Sequence, residues 1–328
     1  MAVVSVVASN GRVSAGAQRV PVYPAARMKL LVLLNGSAGT LANSATKDEP
    51  ERIRRGFEAA GQQVEVRDVE GAKLEDETRA ALKSDIDAII AGGGDGTLNT
   101  IANIVAGSGK AYGVLPLGTH NHFAKDLGIP LELEPAVAAL AAGEVSELPV
   151  AEVNGRIFLN FSALGFHPEL VRHRDAQRKS LGRAKWQAMI VAFLRVFTRF
   201  PIIRVRMITP DTTTRRITPS VIVCNNPHQM KVFGVESASV PERGLLNVYV
   251  ARSHRRLGMI WLIIRAMFKS LDTAKNFEAM ALPEVTIDTA HRHARVSIDG
   301  EVTDMRPPLK YKVRETGLRV IVPRKEPA

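Results

Sequence analysis

The sequence predicts an α/β domain with an open, mainly parallel sheet, followed by an antiparallel β-sandwich domain. Three observations predict it. From Met28 to about residue 132, short apolar runs alternate with stretches of helical spacing. Beyond about residue 145, β-rich runs separated by turn residues take over. Charge divides with the texture: residues 1–150 hold 14 Lys and Arg against 18 Asp and Glu, and residues 151–328 hold 30 against 15. We divide the chain into a loose tail (1–27), an α/β domain (28–132) and a mainly β domain (133–328). The C-terminal segment is free to return to the first domain.

The elements follow in order. LLVLLN (30–35) is a continuous apolar run, as in a buried parallel strand. Asp48 to Ala60 carries Ile53 and Phe57 at helical spacing, and QVEVRDV (63–69) alternates like a strand. Glu75 to Lys83 reads as helix. DAIIAGGGDG reads as strand then loop, and Thr97 to Val105 as helix with Leu98, Ile101 and Val105 on one face. YGVLPLG is again strand then loop, and Asn121 to Leu127 a short helix. In the second half the strands are VAEVNGRIFLNFSAL, IIRVRMIT, ITPSVIVCNN, LLNVYVAR, EVTIDT, ARVSIDGEV and LRVIV. Helical spacing interrupts them around 183–199 and 257–271.

Composition excludes several classes. Hydrophobic content of 45% fits a globular chain. A single cysteine, Cys224, excludes a disulfide framework and fits a reducing compartment; inside VIVC it reads as a small core residue. The longest apolar run, LGMIWLIIRAMF (257–268), is broken by Arg265 and is too short to span a bilayer. Residues 1–27 lack the pattern of a secretory signal, and MKLLVLLNG from Met28 makes a sensible start. A cytoplasmic protein is expected. The net charge of +11 implies an anionic partner. Aromatics are only 5%, and no helix-turn-helix, zinc-finger or RNP-type pattern is present, so nucleic acid is not the expected partner.

The chemistry starts at IIAGGGDGTLNTIAN (89–103). Four glycines and an aspartate stand between a buried strand and a helix. That geometry lays main-chain N–H groups around a phosphate and points a helix N-terminus at it. The dinucleotide pattern GxGxxG cannot be laid on residues 92–97. A Walker A loop is also excluded, because GVLPLGT (113–119) has no lysine before its threonine. In an open α/β sheet, ligands sit at the carboxyl ends of strands, where Asn35-Gly36 and Gly118-Thr119 also fall.

GGGDGTLN, followed by PLGTHNHFAKDLGIP (116–130), resembles the diacylglycerol kinase catalytic domain family, and in particular the bacterial diacylglycerol and sphingosine-kinase-like lipid kinases. NGSAG (35–39), NFSALGFHPELV (160–171) and IDGE (298–301) resemble further family segments, in family order, from about residue 28 to about 322. GGGDGT alone is shared with NAD kinases and phosphofructokinases. The resemblance implies a two-domain lipid kinase that uses ATP and Mg²⁺, with the reaction in the cleft between its domains. It implies a nucleotide site at Asn35, Gly92, Gly93, Gly94, Asp95, Gly96, Thr97, Asn99, Gly118, Thr119 and Asn121. Asp95 would position the phosphates through Mg²⁺, Asp299 would be the general base, and Glu301 would help hold the metal. Taken without the resemblance, Asp299-Gly300 reads as a plain hairpin turn.

Two departures stand out. The family commonly reads Gly-Thr-Gly-Asn-Asp-Phe-Ala, where this chain has Gly118-Thr119-His120-Asn121-His122-Phe123-Ala124. Arg243 stands where relatives have an acid of a structural Mg²⁺ site, so that site is expected to be weak or absent. His120 and His122 open a predicted helix, where residues two apart share no face, and His291 and His293 read as a solvated strand. Neither pair has a third ligand at a familiar zinc spacing.

Residues 172–206 hold ten Lys and Arg and one acid. Trp186 lies on one amphipathic stripe, flanked by Arg183, Lys185, Arg195 and Arg199, and Trp261 lies on a second, which Arg265 interrupts. Such stripes can lie on an anionic membrane or pack on the sandwich. The expected partners are therefore a lipid substrate and an anionic membrane surface, reached peripherally from the cytoplasmic side of the inner membrane; a homodimer is left open. The rival readings are a soluble-substrate kinase related to NAD kinase and a catalytically idle nucleotide- or lipid-binding regulator.

Overall fold

The computed structural model describes residues 22–24, 27–35, 48–165, 202–225, 244–252 and 277–324. Both stripes with the docking candidates Arg183, Lys185, Trp186, Arg195, Arg199, Trp261 and Arg265 lie outside the described residues, as does Arg243. Packing divides the chain into two units. One holds the described residues up to 150 together with those from 314 on, and the other holds 151–313.

The first unit runs β1 (Val22–Pro24), β2 (Lys29–Leu34), α1 (Glu49–Ala59), β3 (Gln63–Asp68), α2 (Leu74–Leu82), β4 (Ala88–Gly93), α3 (Asp95–Val105), β5 (Ala111–Pro116), α4 (His122–Asp126), α5 (Leu133–Ala141) and most of β6 (Glu144–Val153). Strands β3, β2, β4 and β5 pair in that order, all parallel. All six residues of β4 and of β5 are buried, as expected when helices cover both faces of a parallel sheet. Ile53 and Phe57 are the buried residues of α1, as their spacing predicts.

The sequence reading gives 133–141 no element. It is helix α5, and it packs on α1 and β5 of the first unit. This Ala-rich stretch has apolar residues on nearly every position, so its periodicity carries little signal.

The second unit holds the end of β6, then β7 (Arg156–Phe158), β8 (Phe161–Gly165), β9 (Ile203–Ile208), β10 (Thr213–Thr218), β11 (Ser220–Cys224), β12 (Leu246–Ala251), β13 (Phe277–Leu282), β14 (Glu284–Thr289), β15 (Ala294–Ile298) and β16 (Glu301–Met305). The last strand, β17 (Leu309–Val322), begins here beside β14 and ends in the first unit, parallel to β5.

Two antiparallel sheets make the sandwich. Among the described residues one has the order β13, β12, β11, β8, β15, β16, and the other contains β10, β9, β14 and the start of β17. Alternate residues, among them Val205, Met207, Val221, Val223, Val248, Ile287, Val296 and Tyr311, form the core between them. The Tyr311 hydroxyl lies 3.0 Å from Ser162 Oγ, and complete burial pushes its pKa up, so the phenol stays neutral. The other face of β11 and β12 is also buried, with Ile222, Cys224 and Tyr249 in a second apolar cluster. His291 and His293 are not on a strand. They sit exposed in the turn between β14 and β15, because the alternation of β14 ends at Thr289.

Candidate active site

Two groups of predicted residues take definite positions, one in each unit. In the first unit the buried strand β4 runs into the glycines. Gly94 caps α3 in an extended conformation, and Asp95 is the first residue of the helix, beside its positive end. The Oδ1 oxygen of Asp95 is buried and has no hydrogen-bond partner. Buried acceptors are almost always satisfied, so this oxygen stands out among the described residues of the loop. An added cation fits a lone carboxylate oxygen of this kind.

The glycines have different reasons. A Cβ on Gly92 would lie 2.4 Å from Leu34 Cδ2, and one on Gly93 would lie 2.9 Å from the Thr97 side chain. Those two positions are fixed by packing inside the unit. At Gly94 a Cβ would meet nothing within 4 Å, so here the missing side chain leaves open space. Asn35, just after β2, ties the end of that strand to the glycine loop and to α3. Its Nδ2 donates to Thr97 Oγ1 (2.9 Å) and its N–H to the Gly92 carbonyl (3.0 Å). Thr97 is buried and Gly96 half-buried. Asn99 is only 2% exposed and is held inside α3, where its oxygens accept from Asn103 Nδ2 at 2.9 and 3.0 Å.

The companion loop touches the first through its backbone. A Cβ on Gly118 would stand 2.6 Å from Gly94 Cα and 3.2 Å from the Gly93 carbonyl oxygen. Asn121 ties this loop to itself: its Oδ1 accepts from the Gly118 N–H, and its Nδ2 donates to the carbonyls of Pro116 and Gly118. Asn121 is left-handed (φ 52, ψ 43), a conformation that asparagine tolerates. Thr119 and His120 are exposed.

The left-handed residue has a consequence that the sequence reading missed. His120 and His122 stack, with ring centroids 5.5 Å apart and planes 8° from parallel. Residues two apart share no face of a helix, but here the helix begins only at His122 and the turn at Asn121 brings the rings together. Burial pushes the His122 pKa down, and the nearby Asp95 carboxylate opposes this.

In the second unit Asp299 and Gly300 both have positive φ and join β15 to β16 as a two-residue hairpin, with Ile298 paired to Glu301. Both readings of this dipeptide therefore describe the same turn. Asp299 is 8% exposed, and its carboxylate faces the start of β8. Its Oδ2 accepts from the Leu159 N–H (2.8 Å), and its Oδ1 from the N–H groups of Asn160 (2.8 Å) and Phe161 (3.0 Å). Its own N–H donates to the Phe161 carbonyl. These main-chain partners have no side-chain signature, so no sequence signal could have found them. Glu301 is half-exposed and lies 3.4 Å from the Arg156 guanidinium, which also donates to Thr303 Oγ1. Among the described residues no three His, Cys, Asp or Glu side chains cluster as a metal site.

Residues 29–153, which include the glycine loop, Asn35 and the Gly118–Asn121 loop, match the family described as the diacylglycerol kinase catalytic domain. The match covers less than half of the chain and ends with β6. A protein of Pseudomonas aeruginosa named "Probable lipid kinase YegS-like" is 34% identical over 192 residues, which are 56% of this chain and 59% of that protein. A Staphylococcus epidermidis protein named "Diacylglycerol kinase" is 33% identical over 107 residues, 32% of this chain and 34% of that protein. The chain thus spans about a third to three-fifths of the length of these relatives. The crystal structure of a diacylglycerol kinase from Bacillus anthracis covers 90% of this chain and 98% of its own, with a TM-score of 0.64 at 17% identity. That likeness extends the diacylglycerol-kinase-like fold to both units. Asp299 and Glu301 lie beyond the matched family segment.

Proposed function

We propose that the protein is a lipid kinase that transfers the γ-phosphate of ATP to a hydroxyl of diacylglycerol or a related long-chain lipid, at the cytoplasmic surface of the inner membrane. One observation carries this reading: the unpartnered Asp95 oxygen at the start of α3, beside open space at Gly94, inside the kinase-family segment. The helix N-terminus and the extended main chain at Gly94 favour phosphate oxygens there. Phosphoryl transfer depends mainly on positioning and charge neutralisation, which these groups can supply.

Mg²⁺, when bound, would neutralise phosphate charge, with Asp95 as the ligand whose oxygen is available for it. Glu301 would join only by leaving Arg156, since the two are already paired. Asp299 would accept the proton of the attacking lipid hydroxyl. The three main-chain donors on its carboxylate hold that group in one orientation, which a positioned base requires.

The same three donors favour a second reading, in which Asp299 serves only to hold β15 to β8 and the protein binds nucleotide and lipid without transfer. Labelled ATP incubated with a total bacterial lipid extract, and separately with soluble acceptors, distinguishes them. A labelled lipid that disappears in Asp95→Asn supports the kinase. Label in a soluble acceptor, or vesicle binding with no labelled product, overturns it.

A further inference from the structure

We infer that the outer face of the β9–β10 hairpin is a docking surface for an anionic lipid bilayer. This deepens the proposed function by naming the surface that would meet the membrane, and it rests on that reading for its choice of partner. The hairpin alternates strictly. Val205 and Met207 enter the sandwich core, whereas Arg204, Arg206 and Ile208 of β9 are exposed, as are Arg215 and Ile217 of β10. The antiparallel register sets the exposed residues opposite one another: Arg206 faces Arg215, and Arg204 faces Ile217.

Two features of this face call for a partner. Among the described residues five large apolar side chains are exposed, and Ile202, Ile208 and Ile217 are three of them, with Ile217 at 55%. Directly opposed arginines also repel each other in a sheet. Asp288 relieves only Arg206, at 2.6 Å, and Arg204 and Arg215 have no carboxylate partner among the described residues. Cations interleaved with exposed isoleucines on one face match the interface of an anionic bilayer, which takes apolar side chains below its charged headgroups. Beside this face, between β10 and the strands β12 and β13, lies a cavity of about 340 Å³ lined in part by Arg215, Arg216 and Arg252. Glu278 pairs with Arg216 there, and Arg252 at the cavity with Arg215 on the outer face supplies two further cations for headgroup phosphates.

The test is sedimentation of the full chain with vesicles of phosphatidylcholine alone and with vesicles that also contain phosphatidylglycerol. The wild type is expected to bind the anionic vesicles only, with affinity that falls as salt rises. Arg204→Gln with Arg215→Gln should weaken binding about fivefold for each cation removed. Ile217→Ser should weaken it several-fold while its melting temperature stays that of the wild type. Wild-type-like binding by both variants would overturn the inference. So would self-association of the wild type that Ile217→Ser abolishes, or capture of a single-stranded oligonucleotide in preference to vesicles. Phosphorylation of detergent-dispersed lipid is measured in parallel and should persist in the variants. Lipid phosphorylation without hairpin-dependent vesicle binding removes the docking surface and keeps the kinase. Hairpin-dependent binding without any phosphorylated lipid does the reverse.

Discussion

Gly118 and Gly94 meet backbone to backbone: a Cβ on Gly118 would stand 2.6 Å from the Cα of Gly94. The contact seats the companion loop directly on the cap of α3. Replacing Gly118 by Ala should cost about 1–3 kcal/mol of stability, since backbone cannot yield as a flexible side chain does. Denaturant unfolding checks this.

Gly94 itself should behave in the opposite way. Its φ of −83 suits any residue and no atom lies within 4 Å of a Cβ there. Gly94→Ala should therefore leave stability within about 0.5 kcal/mol of the wild type. It should nonetheless weaken ATP binding, because the methyl group enters the space proposed for a phosphate. Equal ATP affinity in calorimetry would show that the phosphate binds elsewhere.

Asn121 satisfies one N–H and two carbonyls and holds a left-handed backbone. Asn121→Ala should destabilise by about 2–4 kcal/mol, through lost hydrogen bonds and the left-handed strain. Asn121→Gly should destabilise by about 1 kcal/mol less, because glycine accepts that conformation. The ordering of the two melting curves is the check.

Asp299→Asn is not a neutral isostere. Its amide NH₂ must face at least one main-chain N–H that the carboxylate accepts, at a cost of about 1–3 kcal/mol. Turnover should be compared at a temperature where melting shows the variant folded. If Asp299 is the base, kcat should fall at least about 100-fold there. A fall that merely tracks the unfolded fraction would leave Asp299 as an anchor.

His122 makes stability depend on pH with a definite sign. Burial lowers its folded pKa below the ordinary 6.5, so below that pH the unfolded chain binds more protons than the folded one. Stability should fall as pH drops from 6.5 towards the folded pKa, and level off beneath it. Measured without nucleotide or Mg²⁺, His122→Asn should flatten the slope in that window.

The sequence alone determined the two-part architecture, because local periodicity reports which faces are buried. Period two in residues 203–208 and a continuous apolar run in 30–34 were enough. It also singled out the glycine cluster between β4 and α3, the place where a phosphate is proposed to bind. Tertiary structure decided the rest. Only packing shows that Gly92 and Gly93 are filled from within while Gly94 stays open, and only a left-handed Asn121 stacks two histidines that helical spacing would separate. The partners of Asp299 are main-chain amides some 140 residues earlier, which every residue type carries alike. Side-chain patterns record what is buried; they do not record which backbone comes to meet it.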